Sequence, residues 1–490
     1  YTLPPAGGDG KDEVAVKVVL EKLINDPAAK DNPDLGFGGY GQTMAKKYLE
    51  CKPKEAETAA AIVAADDELY KKNNPVAHRY RLRAVDHPVP ADKRLAAFNS
   101  RRAPEKVEAL AKDFLDMLIL DGSELMRSNL RLRKSFQKVA DLAKAGKPVE
   151  ALDAYRDYLF EKLRNPKACG LPANLLDPYN GLLNTSEREK TLTKADELMK
   201  DKIDANTSMP PGTVWLPRGK EGSTGARNPW TPAAFQPLAA AYLFTGERSY
   251  LDKWIDYMDD WAMNEITDDT IRPTDISDND SHAVSQVLTV YRILGGIARM
   301  QPAKQSDFPA DSLARILGKL IRVYPPLSTV YHDSNPQNWT PGATAYLMKA
   351  AVLMDEFRAA EYLFNRARHR HENYGTIQFL PDGSETEHAL WYNCHYYDGA
   401  SDVLELADAR RSVQSNQRPV WEESMCSVNW ESEQRRKLGD RARYFLQMLT
   451  PQSQYPIGNR SDQRTLPDWK SASMVEYAIM NGAPDLRVLL

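Results

Sequence analysis

Two short segments concentrate groups able to move protons and hold sugars. The first, Phe379 to Tyr397, contains Glu387, His388, Trp391, Tyr392, His395, Tyr396 and Tyr397 just after the turn signal Pro381-Asp-Gly-Ser384. Phenols and imidazoles are the usual general acids and bases where a carboxylate is too weak a base. If the segment is helical, Glu387 and Trp391 share one face and His388 shares another with Tyr392. The same spacing would also suit an aromatic helix packed in a core. His388 and His395 could meet one metal only with outside ligands, so no metal site is expected here. The second segment, Tyr331 to Pro341, crowds His332, Asn335, Gln337, Asn338 and Trp339 ahead of Thr340-Pro341. Thr340 is a natural N-cap and Pro341 suits a first helical turn. Capping needs only one of these side chains. The surplus amides beside a flat indole are what a sugar cleft uses.

A third segment, Pro217 to Trp230, is rich in Gly and carries Arg218, Lys220 and Arg227. It lacks the GxxxxGK[ST] spacing of a phosphate loop, so it reads as a surface loop or as one that touches an anionic substrate. The run Arg366, Arg368, His369, Arg370, His371 forms a second basic patch. It is expected to be a solvated face near a helix C-terminus, where the dipole favours cations.

Helical periodicity must position these groups. Apolar residues recur at helix spacing over Glu105–Leu120, Phe136–Ala145 and Pro148–Leu163, the last two forming a hairpin around Gly146-Lys147. Ser186–Lys202 starts with Ser186 and Glu189 at capping-box spacing. Helices then follow in close succession: Thr231–Phe244 stopped by Gly246, Ser249–Asn264, Ser281–Met300, Asp311–Val323, Pro341–Met354, Glu356–His371, Glu385–Ala407, Glu431–Leu449 and Lys470–Met480. Strand-like alternation is confined to Thr213–Leu216 and Thr376–Leu380. Unequal helix pairs without a fixed repeat point to an all-α fold of stacked antiparallel pairs, either an incomplete (α/α) toroid or barrel or an irregular helical domain. The more charged, Pro-broken residues 1–130 are expected to form an N-terminal helical module, and 131–490 the toroid.

The 490 residues carry 64 basic and 68 acidic side chains, a net charge of -4. No basic block invites nucleic acid, and no apolar run reaches the roughly 18 residues of a membrane span. Any polyanion must meet a local cationic patch. Cys51, Cys169, Cys394 and Cys426 form no CxxC pair, which excludes a zinc ribbon. The chain starts at Tyr1 rather than Met, so it looks processed or cut from something longer; a removed signal peptide would leave such a start, and a secreted or periplasmic location is the expectation in that case.

The run Pro381-Asp-Gly-Ser-x-x-Glu387-x-x-x-x-Tyr392, with Asn338-Trp339 upstream, resembles the heparinase II/III-like polysaccharide lyases. Asn338 stands 54 residues before Tyr392, a separation similar to the family's. Asn228-Pro-Trp230, Ala241–Gly246, Ala143–Leu152 and Pro456–Asp462 are similar to further family segments, so the resemblance spans roughly residues 135 to 490. It implies an (α/α) toroid followed by a β-sandwich, which this sequence, ending at Leu489-Leu490, stops before. It also implies β-elimination at a uronic acid of an acidic polysaccharide, with Tyr392 as base and Asn338 as the group that neutralises the substrate carboxylate. His388 would then lower the tyrosine's pKa. Gln337, Trp339, Arg227, Lys220, Glu387 and Trp391 would bind substrate. No cofactor is implied, although the β-sandwich could hold a structural metal. Two alternatives remain from the residues alone. One is an α/α-barrel glycoside hydrolase recruiting two of Asp260, Asp278, Asp280 and Glu387; the other is a non-catalytic glycan-binding toroid.

Overall fold

The computed structural model describes residues 91–122, 134–166, 173–179, 182–202, 208, 210–212, 232–263, 285–321, 340–377, 390–414 and 418–447. Thirteen α-helices run through them: α1 (Ala91–Asn99), α2 (Pro104–Leu115), α3 (Lys134–Lys144), α4 (Pro148–Arg164), α5 (Arg188–Met199), α6 (Gln236–Thr245), α7 (Arg248–Met263), α8 (Ser285–Met300), α9 (310–321), α10 (Thr340–Leu353), α11 (Ala359–Ile377), α12 (Leu390–Arg411) and α13 (Val428–Gln447). Among the described residues there is no β-strand, only the isolated bridges Leu118 to Phe357 and Lys202 to Ser208. Thr376 and Ile377, expected to open a strand, end helix α11 instead. The other expected strand, Thr213–Leu216, lies outside the described residues, as does the helix expected at Lys470–Met480.

Successive helices pair in space as α3 with α4, α6 with α7, α10 with α11 and α12 with α13. A second set of contacts joins every other helix, α6 to α8, α8 to α10 and α10 to α12, with α4 also against α8. The even-numbered helices therefore form one continuous layer, and their partners lie beside it. Sequence explains the layering. Helix α6, QPLAAAYLFT, and helix α10, TPGATAYLMKAAVL, are apolar on every side, and nearly all their residues are buried. A helix without a polar face must be surrounded. Helices α3 and α7 carry charged faces and turn only one side inward.

Turn chemistry sets the helix ends. Gly246 caps α6 at φ +74, a left-handed position that costs glycine least, and its N–H returns to the Tyr242 carbonyl at 2.8 Å. The expected Ser186 and Glu189 box does not form. Asn184 caps instead, its amide oxygen accepting the Ser186 N–H at 3.1 Å and the Ser186 hydroxyl at 2.7 Å, so a 3-10 turn precedes α5. Helix α2 ends at Leu115, short of the expected Leu120, because the chain turns out to pair with another segment. The Ile119 N–H donates to the Glu356 carbonyl and the Arg358 N–H to the Met117 carbonyl, each at 2.9 Å.

Helices α1 and α2 lie in the segment expected to be an appended module, and they are tied to α7 and α9. Asp259 on α7, fully buried, accepts from Arg101 Nε at 2.8 Å, Arg315 Nη1 at 2.6 Å and Ser312 Oγ at 2.8 Å. Three donors to one carboxylate offset much of the cost of its burial.

Candidate functional site

Helix α12 begins at Leu390, so Trp391 and Tyr392 occupy its first turn. The helix then crosses the start of α10 at very close range. A Cβ placed on Gly399 would sit 2.5 Å from the Pro341 carbonyl carbon and 2.8 Å from the Gly342 nitrogen, so only glycine lets the two backbones approach this far. Lys349 on α10 pairs with Asp402 on α12 at 2.7 Å. Moving from the Pro341–Gly399 contact to the Lys349–Asp402 pair advances along both helices together, so α10 and α12 run in the same sense. Tyr392 is seven residues before Gly399. That is two turns, or about 10.5 Å along the axis, on nearly the same face. Buried Val403 continues that face on the other side. The first turn of α12 thus lies past the start of α10, at the end where residues 338 and 339 lead into Thr340.

Asn338, Gln337, Trp339, Glu387, His388, Lys220 and Arg227 lie outside the described residues, as do Asp278 and Asp280. Asp260 is buried on α7 beside Asp259, inside the helix packing.

The best-defined polar assemblies lie elsewhere, and sequence reading missed them. Lys162 on α4 is wholly buried and donates to Asp355 Oδ1 at 2.8 Å, Glu356 Oε2 at 2.6 Å and the Leu353 carbonyl at 2.6 Å. Tyr155, two turns earlier on the same face of α4, donates its hydroxyl to Glu356 Oε1 at 2.9 Å. Burial raises the Glu356 pKa above the ordinary carboxylate range while Lys162 opposes the rise, and burial pushes the phenols of Tyr155 and Tyr291 up as well. A high phenol pKa is the reverse of what a tyrosine base requires. A second pair, Arg410 with Glu422, is bidentate at 2.6 and 2.9 Å and fully buried. Asp355-Glu356 stands where a helix was expected to begin. It precedes α11, which starts at Ala359, and faces a lysine almost two hundred residues away in sequence. No local pattern reveals such a pairing.

The basic run on α11 also differs from expectation. Helix α11 continues to Ile377, so the run sits mid-helix, and Arg366, Arg370 and Glu372 are buried. Glu372 accepts from Trp430 Nε1 at 2.6 Å and from Arg368 Nη1 at 3.1 Å. Burial, with the charges of Arg368 and Arg366, lowers the His369 pKa to about 3. Arg366 and Arg370 are inside the helix packing, and Arg368 is linked to α13 through Glu372 and Trp430, so the run is not the expected solvated face.

Residues 230–466, which include helices α6 to α13 and the segments around Asn338 and Tyr392, match the family model described as Heparinase II/III N-terminus. This chain is heparinase II/III-like over that span. Among solved structures, one of heparinase III is 19% identical, with 76% of this chain and 53% of the other covered at a TM-score of 0.52. A second heparinase III is 17% identical over 77% of this chain and 56% of its own length, with a TM-score of 0.49. A heparan sulfate lyase, HepC from Pedobacter heparinus, is 16% identical over 71% and 50%, with a TM-score of 0.42. No curated protein matches the chain. The chain spans about half the length of the structures it resembles. The likeness to the first of them agrees with the layered helix pairs: over its described residues the chain is all-α, with an (α/α) toroid architecture. Among its described residues, no helix is long and apolar enough to cross a membrane.

Proposed function

We propose that this protein is a polysaccharide lyase that cleaves a uronic-acid-containing acidic polysaccharide by β-elimination. The observation that carries the reading is the Gly399–Pro341 crossing, because it brings the first turn of α12, with Tyr392, to the end of α10 that Asn338 precedes in sequence. The likeness to a heparinase III and to a heparan sulfate lyase supports the substrate class.

In this reaction the C5 proton beside the uronate carboxylate is removed, a C4–C5 double bond forms, and the bond from C4 to the glycosidic oxygen breaks. The departing oxygen takes a proton. Removing the C5 proton adds negative charge to a group already anionic, so a donor must neutralise the carboxylate. The Asn338 amide takes that role, and preorganised donors of this kind act where charge develops. Tyr392 is the base and afterwards the acid for the leaving oxygen. An ordinary phenol, with a pKa of about 10, is too weakly ionised at neutral pH. A neighbouring cation must therefore hold it as phenolate, and His388, one turn earlier in sequence, is the candidate. Gln337, Trp339, Trp391 and Glu387 shape the sugar cleft, and Arg227 and Lys220 meet substrate carboxylates. The action is outside the cytoplasm, in the periplasm or the medium, and needs no cofactor.

The test is a screen of the full-length protein on alginate, heparan sulfate, chondroitin sulfate, hyaluronan and pectate, followed by absorbance of the unsaturated uronate product. One of these polymers is expected to give that absorbance. Hydrolysis with saturated products would replace the lyase by a hydrolase, and binding without turnover would leave only a glycan-binding toroid.

A further inference from the structure

A second place on the described surface has the chemistry of a sugar pocket, at the start of α6 rather than of α10. A solvent-open cavity of about 600 Å³ lies between the segment 179–191 and the start of α6. Its volume falls in the range of small-molecule sites, typically about 300–1,000 Å³. Buried Leu182 and Leu183, with Pro237, give it an apolar floor. The Tyr179 ring stands at its edge, 58% exposed, an unusual position for so large an aromatic side chain.

The polar lining is equally specific. Asn184 has committed its amide oxygen to Ser186, which leaves its NH₂ as a donor. The side-chain hydroxyls of Tyr179, Thr185 and Thr191 face no protein partner among the described residues. Gln236 adds an amide at the first residue of α6. The charges are what select the ligand. No Lys or Arg is among the described lining residues, whereas Glu187 is. Arg188, next in sequence, lies over the Phe244 ring at 5.3 Å. Glu187 already pairs with Lys190 at 3.7 Å, so a carboxylate or sulfate entering here would have to compete with Glu187 for that lysine. An uncharged ring with many hydroxyls would instead meet donors, acceptors and one flat aromatic face.

We propose that this cavity is a binding site for an uncharged pyranose, a hexose or an N-acetylhexosamine, presented by a glycan chain. It stands apart from the lyase reading, because it requires affinity and no turnover. Titration calorimetry on the full chain with cellotriose and chitotriose as neutral probes, and trigalacturonate as an acidic one, tests it. At least one neutral trisaccharide is expected to bind more tightly than trigalacturonate. Tyr179→Ala should weaken that binding at least tenfold without moving the thermal midpoint, because the ring is exposed. Thr191→Arg should narrow the preference by improving trigalacturonate binding. Absence of neutral-sugar binding to the wild type, undiminished binding by Tyr179→Ala, or tighter binding of trigalacturonate to the wild type would each overturn the proposal.

Discussion

Two regions of this molecule gather reactive side chains and use them in opposite ways. Around Lys162 the interior holds a lysine, two carboxylates and two phenols with essentially no exposure. There the lysine, the carboxylates and the Tyr155 phenol answer one another at hydrogen-bond distances. Where α10 and α12 cross, the contact is made by backbone and small residues, Gly399 against Pro341 and Gly342. The contrast teaches that density of titratable groups is not evidence of catalysis. Charges that satisfy each other inside a core hold helices in place. A tyrosine base needs a position at an open end and a cation that is not already committed.

Four experiments probe that contrast. Tyr392→Phe should lower turnover of the responsive polysaccharide by about 10²–10⁴-fold, the usual contribution of a general acid–base group, with unfolding unchanged. Retention of the wild-type rate would remove Tyr392 from the mechanism. At the other region, Lys162→Met leaves Asp355 and Glu356 buried without their cation. It should cost about 3–5 kcal/mol in urea unfolding, while the fraction that remains folded keeps its rate. If stability survives and the rate collapses, the core cluster serves chemistry and the contrast fails.

Gly399→Ala sits between the two regions. The added methyl meets backbone that cannot rotate away, so a loss of about 1–3 kcal/mol is expected. The activity should fall further than stability does, because displacement of the α12 start by about 1 Å can cost about a hundredfold. Equal losses would mean the crossing only packs.

At neutral pH the smallest effect is that of His369→Asn. The His369 pKa is lowered to about 3 in the fold by burial and by Arg368 and Arg366, with Glu372 also nearby. The unfolded chain therefore binds a proton that the folded chain refuses as pH falls below about 6.5. His369 costs no stability above that pH. Below it, the cost grows by up to about 1.4 kcal/mol per pH unit until about pH 3. Wild-type unfolding midpoints should fall over that window, and His369→Asn should flatten the fall. An unchanged slope would show that His369 is protonated in the folded protein.

Much of the fold was legible in the chain because helix signals are local. The hairpin at Gly146, the stop at Gly246 and the start near Thr340 follow from turn residues and apolar spacing, and the helices appear within a few residues of where these put them. The exceptions have a common physical cause. Helix α2 stops early because residues 117–119 bond to 356–358, a partner no local window contains. The 366–372 run looked solvated because charge usually means exposure. Its burial depends on Trp430 and on the packing of α13, both more than fifty residues on.

The candidate site divides along the same line. Residue types and spacing single out the segments 331–341 and 379–397, and it is the resemblance that picks Asn338, His388 and Tyr392 within them and implies a chemistry. Composition excludes a basic nucleic-acid binder, since net charge needs no folding to be read. What only tertiary structure decided is which groups are already spent. Lys162, Glu356, Arg410 and Glu422 could each have been proposed as catalytic from sequence, yet packing closes them into pairs. It was also tertiary structure that gave Gly399 its meaning. A glycine inside a helical pattern is locally a weakness, and here it is the only residue thin enough for two helices to touch. Local free energies select helices, whereas the fate of a charge or a missing side chain is set by whatever the rest of the chain brings against it.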